Sequence, residues 1–163
     1  MEQVEPPAPW ELSLSVTIGG LMAVGFATGT TRFLVLSLQG RGLFDGLTGE
    51  RLSCDENLSD EDYDPFRLIG RGIGPIRGEE VRMSGVYGGG LTRVTSDGWW
   101  VESCGLEWPE QTIILARPSS TGEEYFRLRS EIEIVALGFS ECGRCLVIAG
   151  DYGSLSIYRR PLA

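Results

Sequence analysis

Carboxylates are concentrated in one short segment of this chain, DENLSDEDYD, at residues 55–64. The segment carries six acidic side chains: Asp55, Glu56, Asp60, Glu61, Asp62 and Asp64. Oxygen ligands at alternate positions, as in Asp60-x-Asp62-x-Asp64, are typical of a calcium loop. Such a loop also needs glycine at its sixth position and glutamate at its twelfth, and this chain has Pro65 and Arg71 there. The segment therefore predicts no metal site.

Two interpretations of the acidic segment remain. It is either a solvated loop between strands, or a patch that docks an arginine- or lysine-rich protein surface and speeds association electrostatically. The whole chain carries a net charge of −9 at pH 7. This charge repels nucleic acids and anionic membranes, although acidity also serves simply to keep proteins in solution. We expect a basic protein partner, with no nucleic acid and no membrane.

Histidine and lysine are both absent, and all 14 basic side chains are arginine. Without histidine there is no Ser-His-Asp or Cys-His nucleophile system. Without lysine there is no Schiff base and no phosphate-loop lysine. An enzyme would have to work with carboxylates, tyrosine or cysteine. We therefore expect a protein without catalytic activity or cofactor, and keep a hydrolase with paired carboxylates as an alternative.

One pair of cysteines has a spacing that is used in metal and redox sites. Cys142 and Cys145 form a CxxC motif, whereas Cys54 and Cys104 stand alone. A second CxxC would indicate zinc, and the chain has none. Since buried cysteine packs as a small apolar residue, we expect a structural role, with zinc or redox chemistry as the alternatives.

Aromatic residues supply a second set of candidates. Trp99 and Trp100 are adjacent after an Asp-Gly turn. Because successive side chains of a strand point to opposite faces, we expect one in the core and the other at the surface or against a partner. Exposed tryptophan is a frequent anchor of interfaces. Tyr87, just before three glycines, is expected to join it, so these aromatic residues and the six carboxylates are the predicted partner-binding set.

The elements that must position these residues read as short β-strands. Residues 11–18 (ELSLSVTI) alternate between polar and apolar, as a strand with one buried face does. The same alternation recurs in three other segments: 81–83, 131–134 and 154–157. The 23 glycines are roughly twice average usage and separate such segments. The pattern predicts an all-β domain of antiparallel meanders, with residues 122–130 as either a short helix or a strand.

Two stretches of the chain, residues 23–45 and 136–158, are similar to each other. Each reads as an apolar strand, a tight turn, a second apolar strand, a glycine turn and a third strand. Gly25 aligns with Gly138, and Gly40 aligns with Gly153. The pattern predicts a three-stranded meander that is used twice.

Residues 23–52 and 135–158 resemble the WD-repeat blade of β-propellers. Residues 43–49 (LFDGLTG) fit the end of such a blade, with Phe44 where tryptophan usually lies. The Gly-His pair of that family has no counterpart, since the chain lacks histidine. A blade takes about 40 to 45 residues and a propeller about four or more blades. The resemblance therefore implies a small propeller-like or sandwich-like domain.

The expected organisation is a flexible arm at residues 1–9, which is rich in proline, followed by one domain at 10–163. The arm lacks the basic and apolar order of a signal peptide, so we expect a cytoplasmic protein. The use of arginine as the sole basic residue suits a GC-rich genome, so we expect a bacterial source. The expected function is that of an acidic binding module, by type an immunity protein that inhibits a basic toxin. The alternative is a structural domain that joins an assembly or forms a homodimer, because open meanders leave edge strands that need cover.

Overall fold

A computed structural model describes residues 4–161, except for the side chain of Asp151. The strands across this range are β1 Glu11–Thr17, β2 Leu21–Phe26, β3 Arg32–Ser37, β4 Gly40–Asp45, β5 Arg51–Asp55, β6 Tyr63–Asp64, β7 Ile69–Arg71, β8 Glu80–Arg82, β9 Ser84–Gly85, β10 Trp100–Glu107, β11 Glu110–Ser119, β12 Gly122–Glu131, β13 Ile134–Phe139, β14 Cys145–Gly150 and β15 Ser154–Arg159. Short 3-10 helices occupy Gly74–Ile76 and Asp151–Gly153. The predicted all-β class is confirmed.

The strands form four antiparallel sheets. Their orders are β5-β4-β3-β2-β9, β6-β7-β8, β10-β11-β12 and β1-β15-β14-β13. Strand β1 pairs with β15, from Glu11 opposite Arg159 to Thr17 opposite Ser154. The first strand of the chain is therefore the edge strand of the sheet that contains the last three strands.

Three apolar clusters show that the sheets lie on one another as layers. One cluster joins β10–β12 to β13–β15, and a second joins β13–β15 to β2–β4. A third joins β2–β4 to the segment that contains β6–β8. The two middle sheets are thus covered on both faces, which is the sandwich-like arrangement. This explains why β14 (CLVIAG) is buried along its whole length instead of alternating.

The two similar stretches occupy equivalent elements in neighbouring layers. Residues 23–45 fall in β2–β4, and residues 136–158 fall in β13–β15. Both sets pair as consecutive antiparallel strands. Their facing sides share the second cluster, in which Phe33 and Val35 pack with Val147 and Ile157.

Residues 122–130 are a strand, and the strand expected at 131–134 is wrong. Glu131 ends β12 and Ile134 begins β13, with a bend between them. The Glu131 carboxylate is buried and bonds the Arg129 guanidinium and the Ser154 hydroxyl, 3.4 Å away. The alternating residues 131–134 therefore connect β12 in one layer to β13 in the next.

Arg160, near the C-terminal end of the described chain, contacts Trp10 near its N-terminal end and two residues between them. Its guanidinium donates to both Asp97 carboxylate oxygens at 2.6 and 2.7 Å, and to the Gly143 carbonyl at 2.8 Å. It also lies 5.0 Å from the ring of Trp10, which is buried. Residues 4–9 of the predicted arm are exposed or half-buried, and residues 1–3 lie outside the described range.

Candidate functional site

The acidic segment is an ordered loop that is built around one arginine. Arg41 of β4 donates to Asp55 at 2.8 Å and to the Arg71 carbonyl at 3.0 Å, and its guanidinium lies 3.4 Å from Asp62. Only 10% of the Arg41 side chain is exposed. The backbone N–H of Asn57 and the Arg41 guanidinium lower the pKa of Asp55. Arg41 therefore links Asp55, at the start of the loop, to Asp62, near its end.

Two aspartates also shape the backbone of the loop from within. Asp62 accepts the backbone N–H of Ser59 at 2.8 Å. Asp64 accepts the backbone N–H groups of Phe66 and Arg67, each at 3.0 Å. Such bonds are typical of aspartate in turns. Three of the six predicted carboxylates are thus engaged in forming the loop.

The other three carboxylates face solvent. Glu56, Asp60 and Glu61 are exposed, and within residues 4–161 none of them makes a hydrogen bond or an ion pair. They belong to a loop whose backbone is fixed by its own aspartates and by Arg41. Their charges are available to an external group without the loss of an internal contact.

Two exposed aromatic side chains lie at or near the acidic segment. Phe66 follows the acidic segment and is 96% exposed, and Tyr87 is 58% exposed. The ring of Tyr87 lies 6.1 Å from that of Tyr63, the tyrosine inside the acidic segment. The structure therefore places Tyr87 next to the acidic loop.

Tyr87 is held by the glycines around it. Gly85 and Gly88 exchange two backbone hydrogen bonds of 3.0 Å across the turn that presents Val86 and Tyr87. Gly88 and Gly89 have φ of +115° and +92°, which favours glycine. A Cβ on Gly89 would lie 2.5 Å from the Met83 carbonyl. Gly85, Gly88 and Gly89 therefore form the turn that positions Tyr87.

Two adjoining cavities open at this surface. One, of about 340 Å³, is lined by Met22, Leu58, Ser59, Asp60, Tyr63, Pro65 and Tyr87. The other, of about 300 Å³, is lined by Asp60, Glu61, Tyr63, Asp64, Pro65, Arg67, Ile69, Arg71 and Glu80. They share Asp60, Tyr63 and Pro65. We call the first the tyrosine cavity.

The two tryptophans lie in another layer of the protein. Trp99 is 5% exposed and packs edge-on against Trp10, with ring centroids 5.9 Å apart. Trp100 is half-buried on the outer face of β10–β12, where its ring lies 6.0 Å from that of Tyr125. Trp99 is therefore the core residue of the pair. Neither ring contacts the aromatic pair beside the acidic loop, Tyr63 and Tyr87, among the ring contacts of the described residues.

The CxxC motif is divided between the core and the surface. Cys145 is buried in the second cluster, and burial raises the pKa of its thiol to about 12. Cys142 is exposed in the preceding turn, with its Sγ 3.5 Å from the Ser140 hydroxyl. In the part of the chain that the structure describes, no three histidine, cysteine or acidic residues are placed to hold a metal ion.

The described residues contain no helix that is long and apolar enough to cross a membrane.

Sequence reasoning did not single out Phe66 and Tyr63, which the structure places at the candidate site. Both are apolar interruptions of the charged run Asp62-Tyr63-Asp64-Pro65-Phe66. An aromatic residue on each side of an Asp-Pro turn in an acidic segment is the signal that could have indicated them.

Comparison with known proteins gives no indication of function, so a proposal must be based on the geometry of the site. No protein-family model matches this chain, and no curated protein sequence is detectably similar to it.

Proposed function

We propose that this protein is a binding module without catalytic activity that engages a basic protein through one surface. The surface consists of Asp60, Glu61, Asp64, Phe66 and Tyr87, and we call it the acidic–aromatic surface. The observation that carries the proposal is that the exposed Tyr87 lines a cavity with Asp60, a carboxylate that has no internal partner, while Glu61 and Phe66 are exposed in the same stretch of chain.

The two kinds of side chain have complementary roles in such an interface. Exposed rings supply apolar area that a partner buries, and tyrosine is enriched among residues that dominate binding energy. Carboxylates attract a basic partner over distance and form charge-assisted hydrogen bonds with arginine or lysine. The net charge of −9 adds to this attraction.

The order of the loop favours binding as well. Arg41 fixes the loop from below through Asp55 and Asp62, so little backbone entropy remains to be lost when a partner docks. A rigid acidic surface on a small domain suits an inhibitor that covers a basic cleft. By type, the function we propose is therefore that of an immunity protein, which neutralises a basic toxin domain in the cytoplasm.

The proposal is tested by capture of a partner from host lysate and by variants of the surface. Asp60→Asn with Glu61→Gln removes two free charges and leaves the aspartates that build the loop intact. We expect loss of the captured basic protein at moderate salt. Glu102→Gln with Glu107→Gln is the matched control, since both residues are exposed on β10 in another layer.

The outcomes separate clearly. The proposal is supported if the control variant still captures the basic partner and the surface variant does not. Equal recovery of the partner by both variants, or recovery of no basic protein by the wild type, contradicts it.

A further inference from the structure

The hydroxyl group of Tyr63 has no hydrogen-bond partner within the described residues, although it is buried. The residue is 7% exposed, and its ring packs in the third apolar cluster. Buried polar groups are almost always paired, and an unpaired one opposes folding. A group that binds at this position from outside would satisfy the hydroxyl.

The tyrosine that carries this hydroxyl forms part of the wall of the tyrosine cavity. Tyr63 lines this cavity together with Tyr87 and Asp60. Burial raises the pKa of Tyr63, and nearby Tyr87 and Asp64 add to the effect. The Tyr63 and Tyr87 rings lie 6.1 Å apart, so the cavity that both residues line opens at the acidic–aromatic surface.

The walls of the cavity suit a long cationic side chain. Met22, Leu58 and Pro65 form apolar walls, which match the aliphatic stem of arginine or lysine. The exposed Asp60 supplies negative charge, and the exposed Tyr87 ring supplies a face that attracts cations. The adjoining cavity carries Arg67 and Arg71, which repel a cation, whereas no arginine lines the tyrosine cavity.

We infer that the tyrosine cavity receives an arginine side chain of the protein partner. The guanidinium lies against the Tyr87 ring, pairs with Asp60 and donates an N–H to the Tyr63 oxygen. Arginine fits better than lysine because its planar group stacks on aromatic rings and has five donors. The inference rests on the proposed function, since it names the group that the partner inserts.

The test is a titration with small probes, followed by amide and side-chain NMR signals of the full chain. N-acetyl-arginine amide is expected to shift the signals of Asp60, Tyr63 and Tyr87. The uncharged isostere N-acetyl-citrulline amide is expected to leave them unchanged, and N-acetyl-lysine amide is expected to bind more weakly. In Tyr63→Phe, which keeps the ring, arginine amide is expected to bind about fivefold more weakly. Tyr125→Phe, an exposed tyrosine in another layer, is the matched control.

The inference is overturned if arginine amide causes no shift, if lysine amide binds as tightly, or if Tyr63→Phe binds arginine amide like the wild type. These results leave the proposed function standing, because the partner would still be captured through Asp60 and Glu61. Conversely, arginine binding by a protein that captures no partner would support the cavity and contradict the proposed function.

Discussion

Replacement of Tyr63 with phenylalanine is expected to stabilise the free protein. The substitution keeps the ring in the third apolar cluster and removes an oxygen that is buried without a partner. An unsatisfied buried polar group costs about 1–3 kcal/mol. The lower end of this range applies because the residue as a whole is 7% exposed and not fully enclosed. We expect a gain of about 1 kcal/mol in the free energy of unfolding, or about 2–4 °C in Tm for a chain of this size.

Urea unfolding at pH 7, followed by tryptophan fluorescence, measures this difference. Tyr125→Phe serves as the control, and since this residue is exposed its effect is expected to stay within about 0.5 kcal/mol. Equal slopes of the unfolding curves would show that the midpoint shift reports stability. A loss of about 1 kcal/mol or more in Tyr63→Phe would refute the reasoning, because it would mean that the hydroxyl has a strong partner in the free protein.

Alkaline pH gives a second measurement on the same variant. Burial raises the pKa of Tyr63 above its ordinary value of 10.0. A raised pKa contributes stability that is fully present below pH 10 and is lost as the pH rises through the value of the folded state. The wild type therefore loses stability above about pH 10 through this residue, and the advantage of Tyr63→Phe is expected to grow there. An advantage that shrinks above pH 10 would contradict the burial of the hydroxyl.

Further predictions concern the Arg160 contact and the cysteines. Asp97→Asn is expected to lower the free energy of unfolding by about 2 kcal/mol, less than for a fully buried pair, because Asp97 is 48% exposed whereas Arg160 is 6% exposed. Arg160 holds the pKa of Asp97 well below its usual range, so this stability is present above about pH 4 and is lost as the pH falls through the folded-state value; acid titration of the variant by circular dichroism should lack that loss. Glu80→Gln, in an exposed pair 3.9 Å apart, is expected to change stability by under about 0.5 kcal/mol, and an equal loss in both variants would contradict the account. Alkylation at about pH 8 with peptide mass analysis is expected to modify Cys142 in the native protein and Cys145 only after unfolding, because burial raises the pKa of Cys145 and blocks access.

The local β-structure was predictable because short-range patterns determine it. The alternation in residues 11–18 predicted β1, in which Leu12, Leu14 and Val16 are half-buried and their neighbours Glu11 and Ser15 are exposed. The order of the layers was not predictable. It depends on which apolar faces meet, and strands such as β14 are apolar on both sides.

The site was predictable in composition and not in geometry. The sequence located the carboxylates, yet their roles depend on Arg41, which lies 14 residues before Asp55 and draws Asp55 and Asp62 together. The approach of Tyr87 to the acidic loop likewise depends on the pairing of β9 with β2. Long-range contacts of this kind leave no spacing pattern, so the tryptophans, which lie elsewhere, were equally good candidates.

The dependence of partner affinity on salt tests the central claim most directly. The captured partner would be titrated calorimetrically into wild type, Asp60→Asn with Glu61→Gln, and the control Glu102→Gln with Glu107→Gln, over a series of salt concentrations. The account predicts that wild type and control lose affinity steeply with salt, and that the surface variant binds more weakly and with a flatter dependence. The same affinity and the same salt dependence in all three proteins would contradict it.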